Sequence, residues 1–231
     1  MRILFFAWTL LLTLACAKDG DNNQSSHANV KTYRYLALGD SYTIGTAIGE
    51  KKAYPVLLVD SLDSQISDSI EYEVIARNGW TTADLQNGIN SAEPDSSFDV
   101  VTILIGVNNQ YQGLSISEYQ GEFLKLLNQA ISFAQGEKER VLVISIPDWG
   151  VSPAGAANRM QIAVEINDFN FAQKQVCDSL EVDFIDITSL SRTGLSNSAY
   201  IASDGLHFSA KMHQLWMRAL YPMWNQKIRD E

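Results

Sequence analysis

Four short polar clusters, far apart along the chain, hold the residue types that acyl-transfer chemistry needs. They are Gly39-Asp40-Ser41, Arg77-Asn78-Gly79-Trp80, Gly106-Val107-Asn108-Asn109 and Asp204-Gly205-Leu206-His207. A serine hydroxyl is a weak nucleophile until a base removes its proton, and histidine is the usual base at neutral pH. The chain has 3 histidines. His27 falls in a polar N-terminal stretch and His213 inside a helical pattern, which leaves His207. Asp204 precedes it at a spacing that lets a carboxylate reach Nδ1, fix the tautomer and stabilise the imidazolium. A tetrahedral oxyanion needs donors as well. The backbone N–H groups of Ser41 and Gly79 are suited to supply two, and the Asn108 amide a third. Singly, Gly-Asp-Ser and Asn-Gly are turns, Asn108 ties a loop and Asp204 forms one. Together they offer nucleophile, oxyanion donors, base and orienting acid.

Such clusters act together only if the fold brings them to one edge. Short, nearly continuous β-branched runs at 33–38, 72–76, 100–105, 141–146 and 182–187 read as parallel strands covered on both faces. Helical periodicity occupies 54–62, 82–89, 115–134, 162–180 and 209 to about 226, and Ser115-x-x-Glu118 reads as a capping box. Five strands with intervening helices imply a doubly wound α/β sheet, in which ligands collect beyond the carboxyl ends of the strands. Each polar cluster either follows a strand directly or, for Asp204 to His207, precedes the last helix. The segment 148–159, rich in Gly, Pro and Ala, reads as a flexible rim.

The 231 residues fit one domain, and 46% hydrophobic with 19% charged residues is ordinary for a globular chain. A formal net charge of -10 removes the electrostatic footing for a nucleic-acid partner. It also opposes attraction to anionic lipid heads, while leaving a covalent anchor open. Arg2 followed by an apolar run from Ile3 to Ala15 has the form of a secretory leader, too short to span a membrane comfortably. Leu14-Ala15-Cys16 has the form of a bacterial lipobox, with Thr13 where an aliphatic is usual. Cys16 would then be lipidated, giving a leader at 1–15, a polar tether at 16–31 and the domain at 32–231. Cleavage after Ala17 is the alternative. Cys177 is the other of 2 cysteines and reads as buried filler rather than a reactive thiol.

On Gly39-Asp40-Ser41-Tyr42, Asn78-Gly79, Gly106-Val107-Asn108-Asn109 and Asp204-x-x-His207, the chain resembles the SGNH/GDSL-family hydrolases. The resemblance spans the region from about Tyr35 to the final helix. It implies a flavodoxin-like three-layer α/β/α sandwich with a five-stranded parallel sheet, and needs no metal or other cofactor. It also implies a triad of Ser41, His207 and Asp204, with an oxyanion hole of Ser41, Gly79 and Asn108. Ser41 lacks a Gly-x-Ser-x-Gly elbow, which disfavours the α/β-hydrolase fold. Tyr42, in place of the family's Leu, and Asn109, in place of its Asp, depart from the family blocks and bear on substrate preference rather than chemistry. Trp80, Tyr111 and Trp149 follow strands closely and are candidates for contact with the substrate.

The expected function is that of an exported serine esterase, lysophospholipase-like or thioesterase-like. Carbohydrate O-deacetylation is the second enzymatic reading. A catalytically inactive binding lipoprotein is the reading from another class, and the intact Ser41, Asp204 and His207 argue against it. The expected setting is the periplasm, outer membrane or surface of a bacterium. The only membrane contact would be the lipid on Cys16, and the expected partner is an ester of a lipid, a glycan or a small molecule.

Overall fold

The computed structural model describes residues 31–63 and 69–229. The expected leader, Cys16 and the tether up to residue 30 lie outside them. Strands β1 (Thr32–Gly39), β2 (Ser69–Ala76), β3 (Val100–Leu104), β4 (Val141–Ile144) and β5 (Asp183–Ile185) form one sheet. Its order is β2-β1-β3-β4-β5, and every neighbouring pair is parallel. All residues of β3 and β4 are buried, as their unbroken apolar runs require when helices cover both faces. Gly39 pairs with Ala76 on one side and with Leu104 on the other. The ends of β1, β2 and β3 are therefore level, and the clusters that follow them start side by side. Strand order reverses direction at β1 and β3, the topological switch point where open α/β sheets place their ligands.

Two helical layers enclose the sheet. On one side α2 (Tyr54–Asp63) packs against α8 (Ala210–Arg229), and on the other α5 (Ile116–Phe133) packs against α3 (Thr82–Ala92) and α6 (Arg159–Leu180). The apolar stripes explain the docking. In α8, Met212, Trp216, Leu220, Trp224 and Ile228 recur every fourth residue, and all are buried. The Trp224 ring meets Tyr35 of β1 edge-on at 5.1 Å. In α5 the buried positions are Tyr119, Phe123, Leu126, Leu127, Ala130 and Phe133, and the Ser115 hydroxyl caps the helix by accepting the Glu118 N–H. Burying each such large side chain contributes about 1.5–3 kcal/mol. Cys177 is fully buried in α6, and burial pushes its thiol up to about 12, which keeps it inert.

Two sequence expectations need correction. The run 182–187 yields only a three-residue strand, Asp183–Ile185. Beyond it Asp186 Oδ1 accepts the Thr188 N–H at 2.7 Å, and the Ser145 hydroxyl accepts the Ile187 N–H at 2.8 Å, so side chains take over the backbone donors. The segment 148–159 does not begin as a flexible rim. Asp148, Trp149, Gly150, Val151 and Ser152 are all buried. The Asp148 carboxylate accepts the Gly150 N–H through Oδ1 and pairs through Oδ2 with Arg192 Nε, each at 2.9 Å. Its backbone N–H donates to the Ser191 hydroxyl at 2.9 Å. Ser191 and Arg192 come from α7 (Thr188–Arg192), far along the chain, and composition carries no sign of them.

Candidate active site

Ser41 opens the four-residue helix α1 (Ser41–Ile44) immediately after β1. Asp40 is the cap. Its Oδ1 accepts the Tyr42 N–H at 3.0 Å, and its carbonyl accepts from Thr43 and Ile44. The Ser41 backbone N–H has no acceptor among the described residues, and neither has its hydroxyl a partner there. Ser41 belongs to the wall of a cavity of about 210 Å³. Asp40 is fully buried with Oδ2 unpartnered, and this burial pushes its carboxyl up to about 7, partly offset by the Tyr42 N–H.

His207 reaches the same cavity from the loop ahead of α8. A bridge between Ile201 and Phe208 closes that loop, with the Ala202 N–H donating to the His207 carbonyl at 2.8 Å. Within it, Asp204 Oδ1 accepts the Leu206 and His207 N–H groups at 3.0 Å each, and Oδ2 stands 2.6 Å from His207 Nδ1. Burial would raise the Asp204 carboxyl, but the hydrogen bonds from the His207 ring and from the two backbone groups outweigh it. The carboxyl is held below its ordinary value, ionised at neutral pH. An ionised acceptor at Nδ1 places the ring proton there and leaves the Nε2 lone pair free to accept. The Tyr42 ring packs edge-on against the imidazole at 5.7 Å, limiting its rotation.

The donor side is built from two turns. Gly79 has φ +80 with open space around its missing Cβ, so conformation, not crowding, calls for glycine there. Its N–H has no acceptor among the described residues. Gly106 has φ +126, and a Cβ would stand 2.7 Å from Ile146 Cδ1 and 2.8 Å from the Tyr119 ring. It opens the short helix α4 (Val107–Tyr111), which carries Asn108. Asn108 Nδ2 donates one N–H to the Trp80 carbonyl at 2.9 Å, which fixes the rotamer and leaves the second N–H for another acceptor.

Ser41, Gly79, Asn108 and His207 thus line one cavity, together with Tyr111 and Trp149. Trp80 does not. Its indole packs over Gly88 of α3, where a Cβ would run into the ring, and it borders a separate surface groove. Asn109 also turns away, toward Thr82. Sequence reasoning missed Asn78, Val107 and Leu206 as lining residues, although each adjoins a residue it singled out. It also missed Gln110, whose Oε1 accepts the Trp149 indole N–H at 2.7 Å and whose position carries no motif signal. Among the described residues no cluster of three or more His, Cys, Asp or Glu is arranged to hold a metal ion.

A parallel three-layer sandwich with a serine heading the first helix, and an Asp-His pair ahead of the last, defines a serine hydrolase. Residues 37–215 match the GDSL-like lipase/acylhydrolase family, and the chain belongs to that family. No curated protein matches it. Among solved structures, a lipase/acylhydrolase from Enterococcus faecalis is 20% identical with a TM-score of 0.64, over 85% of this chain and 96% of the other. A psychrotrophic esterase from Pseudoalteromonas sp., in a structure inhibited by monoethylphosphonate, is 18% identical with a TM-score of 0.61, over 84% and 97%. An acetyl xylan esterase is 18% identical with a TM-score of 0.62, over 82% and 98%. At such identities the likeness bears on the fold, whereas the family match defines the class: an ester-hydrolysing enzyme of the serine hydrolase type.

Proposed function

We propose that this enzyme hydrolyses carboxylic esters through an acyl-enzyme on Ser41. The Ser41 hydroxyl attacks the ester carbonyl while His207 Nε2 takes its proton, and Asp204 stabilises the imidazolium at Nδ1. The carbonyl oxygen, now an oxyanion, accepts from the backbone N–H groups of Ser41 and Gly79 and from the free Asn108 N–H. Collapse breaks the bond to the alcohol oxygen, which leaves with the proton held by His207. Water then enters, gives its proton to His207 and releases the acid, restoring Ser41.

The observation that supports this reading best is the meeting of Ser41, Gly79, Asn108 and His207 around one cavity, with Asp204 2.6 Å from His207 Nδ1. Substrate binding must bring Ser41 Oγ and His207 Nε2 into hydrogen-bond contact, a tightening common in enzymes observed without substrate. Ser41→Ala is expected to abolish hydrolysis of p-nitrophenyl acetate and labelling by a fluorophosphonate probe. Turnover retained by that variant would end the assignment, and an unlabelled, inactive native protein would favour a binding role instead.

Export as a lipoprotein is part of the proposal, supported by the apolar run from Ile3 to Ala15 ahead of Cys16. Intact mass of the mature protein is expected to show a diacylated Cys16. An N-terminus at Lys18 would overturn the anchor while leaving the chemistry untouched.

A further inference from the structure

One wall of the cavity is held from outside by a chain of hydrogen bonds that the ester chemistry does not use. Trp149 and Tyr111 form that wall, their rings edge-to-face at 5.4 Å. Tyr111 is 66% exposed and Trp149 only 9%, so Trp149 is the fixed member. The indole N–H donates to Gln110 Oε1 at 2.7 Å. Gln110 Nε2 donates in turn to Glu165 Oε2 at 2.6 Å, and Glu165 Oε1 accepts from Gln161 Nε2 at 2.8 Å. From behind, Gly155 approaches so closely that a Cβ there would lie 3.1 Å from Cε3 of the indole.

The polarity of this relay is specified. An indole has a donor and no acceptor, so the Gln110 amide must turn its oxygen to Trp149 and its NH₂ to Glu165. The part-buried bond that ends on the Glu165 carboxylate is charge-assisted and stronger than a neutral one. The relay ties three elements together: Gln110 on α4, Trp149 in the segment after β4, and Glu165 on α6. Trp149 cannot swing aside without breaking it.

The space beside it is a cavity of about 210 Å³ that also holds Ser41 and His207. An acyl group carried on Ser41 would share that cavity with the Trp149 indole.

We propose that Trp149, clamped by Gln110 and Glu165, is the wall that limits the acyl group, and that the enzyme's substrates are esters of short acyl chains. Gln110 and Glu165 are positioning residues that act through Trp149. The inference rests on the ester-hydrolase reading, but the two fail differently. Loss of all ester turnover by the native chain would remove the reading, whereas the wall is judged from ratios between substrates.

The test uses the full chain with p-nitrophenyl acetate, butyrate and octanoate, and with ethyl and octyl acetate, at pH 8. The native enzyme is expected to turn over octanoate at least about tenfold less efficiently than butyrate in kcat/KM, a difference of about 1.4 kcal/mol. Trp149→Ala is expected to raise the octanoate-to-acetate ratio at least tenfold. Trp149→Phe, which keeps a ring and removes the N–H, should shift it in the same direction and guards against a misfolded alanine variant. Gln110→Glu sets a second carboxylate against Glu165, breaks the relay and should also raise the ratio. Adding Glu165→Gln rebuilds the relay with reversed polarity, since the new amide donates to the new carboxylate, which still accepts the indole N–H. The double variant should return to within about twofold of the native ratio, which a merely structural loss would not do. A native preference for octanoate, a flat profile in the Trp149 variants, or no recovery in the double variant would overturn the proposal. So would a Trp149→Ala effect confined to the ethyl and octyl acetates, because the wall would then face the alcohol.

Discussion

Asn108 divides one amide between two tasks. One N–H bonds the Trp80 carbonyl at 2.9 Å, which anchors the turn after β2 to the helix after β3. In the proposed mechanism the other is left for the oxyanion. Removing one such donor costs about 2.7–4 kcal/mol of transition-state stabilisation, because the charge develops in a site already arranged for it. Asn108→Ala is therefore expected to lower kcat on p-nitrophenyl acetate by about 10²–10³ with KM nearly unchanged. A rise in KM at constant kcat would mean that the amide binds ground state and transition state alike. At this scale the sequence was legible wherever chemistry restricts residue type. Of 3 histidines, His207 alone reads from the sequence as a loop residue ahead of a helix, with Asp204 three positions before it. It was illegible where only side-chain direction matters. Trp80 and Trp149 both closely follow strands, yet one ring packs outward over Gly88 and the other lines the cavity. Spacing along the chain does not encode which way a residue turns after a strand.

Among the elements, α3, α4 and α5 are joined by a network centred on Thr82. The Asn109 side-chain oxygen accepts the Thr82 N–H at 3.0 Å, and its NH₂ donates to the Thr82 hydroxyl at 2.7 Å. The hydroxyl donates onward to the Glu122 carboxylate. Asn109, one of the two departures from the family blocks, is therefore explained by helix packing rather than by substrate preference; Tyr42, the other, does border the cavity. An aspartate at 109 would leave two carboxylates competing for one hydroxyl proton. Asn109→Asp should destabilise the fold by about 1–3 kcal/mol at pH 7, the cost of leaving a buried acceptor unsatisfied. Pairing it with Glu122→Gln supplies a donor again and should recover most of that loss in urea denaturation. Equal destabilisation with and without the second change would place the cause elsewhere. The long helices behind this network were readable, since their buried residues recur with helical spacing. Helices α1, α4 and α7 were not, because four or five residues show no periodicity and depend on neighbouring backbone and side-chain groups.

For the molecule as a whole, two fully buried ionisable groups oppose each other across the acid range. Burial pushes the Asp40 carboxyl up to about 7. His213 lies between the Tyr54 and Trp216 rings, with Nδ1 accepting the Tyr54 N–H at 3.2 Å, and burial pulls its imidazole down to about 3, aided by His207. From about pH 4 to 7 the folded state keeps a proton on Asp40 that the unfolded chain gives up, so this group makes stability fall as pH rises. From about pH 3 to 6.5 the unfolded chain takes up a proton on His213 that the folded state refuses, so this group makes stability rise with pH. Each slope is about 1.4 kcal/mol per pH unit, and the two largely cancel between about pH 4 and 6.5. Asp40→Asn keeps an oxygen for the Tyr42 N–H and removes the falling slope. Its unfolding free energy relative to the native protein should climb from about pH 4 to 7, leaving the variant more stable above pH 7 by up to a few kcal/mol. His213→Gln keeps an acceptor for the Tyr54 N–H and should show the opposite trend, gaining on the native protein as pH falls below about 6.5. Taking each variant against the native protein cancels the surface carboxylates, which titrate alike in all three. A difference that stays constant from pH 4 to 8 would show that the substituted group is not what couples folding to pH.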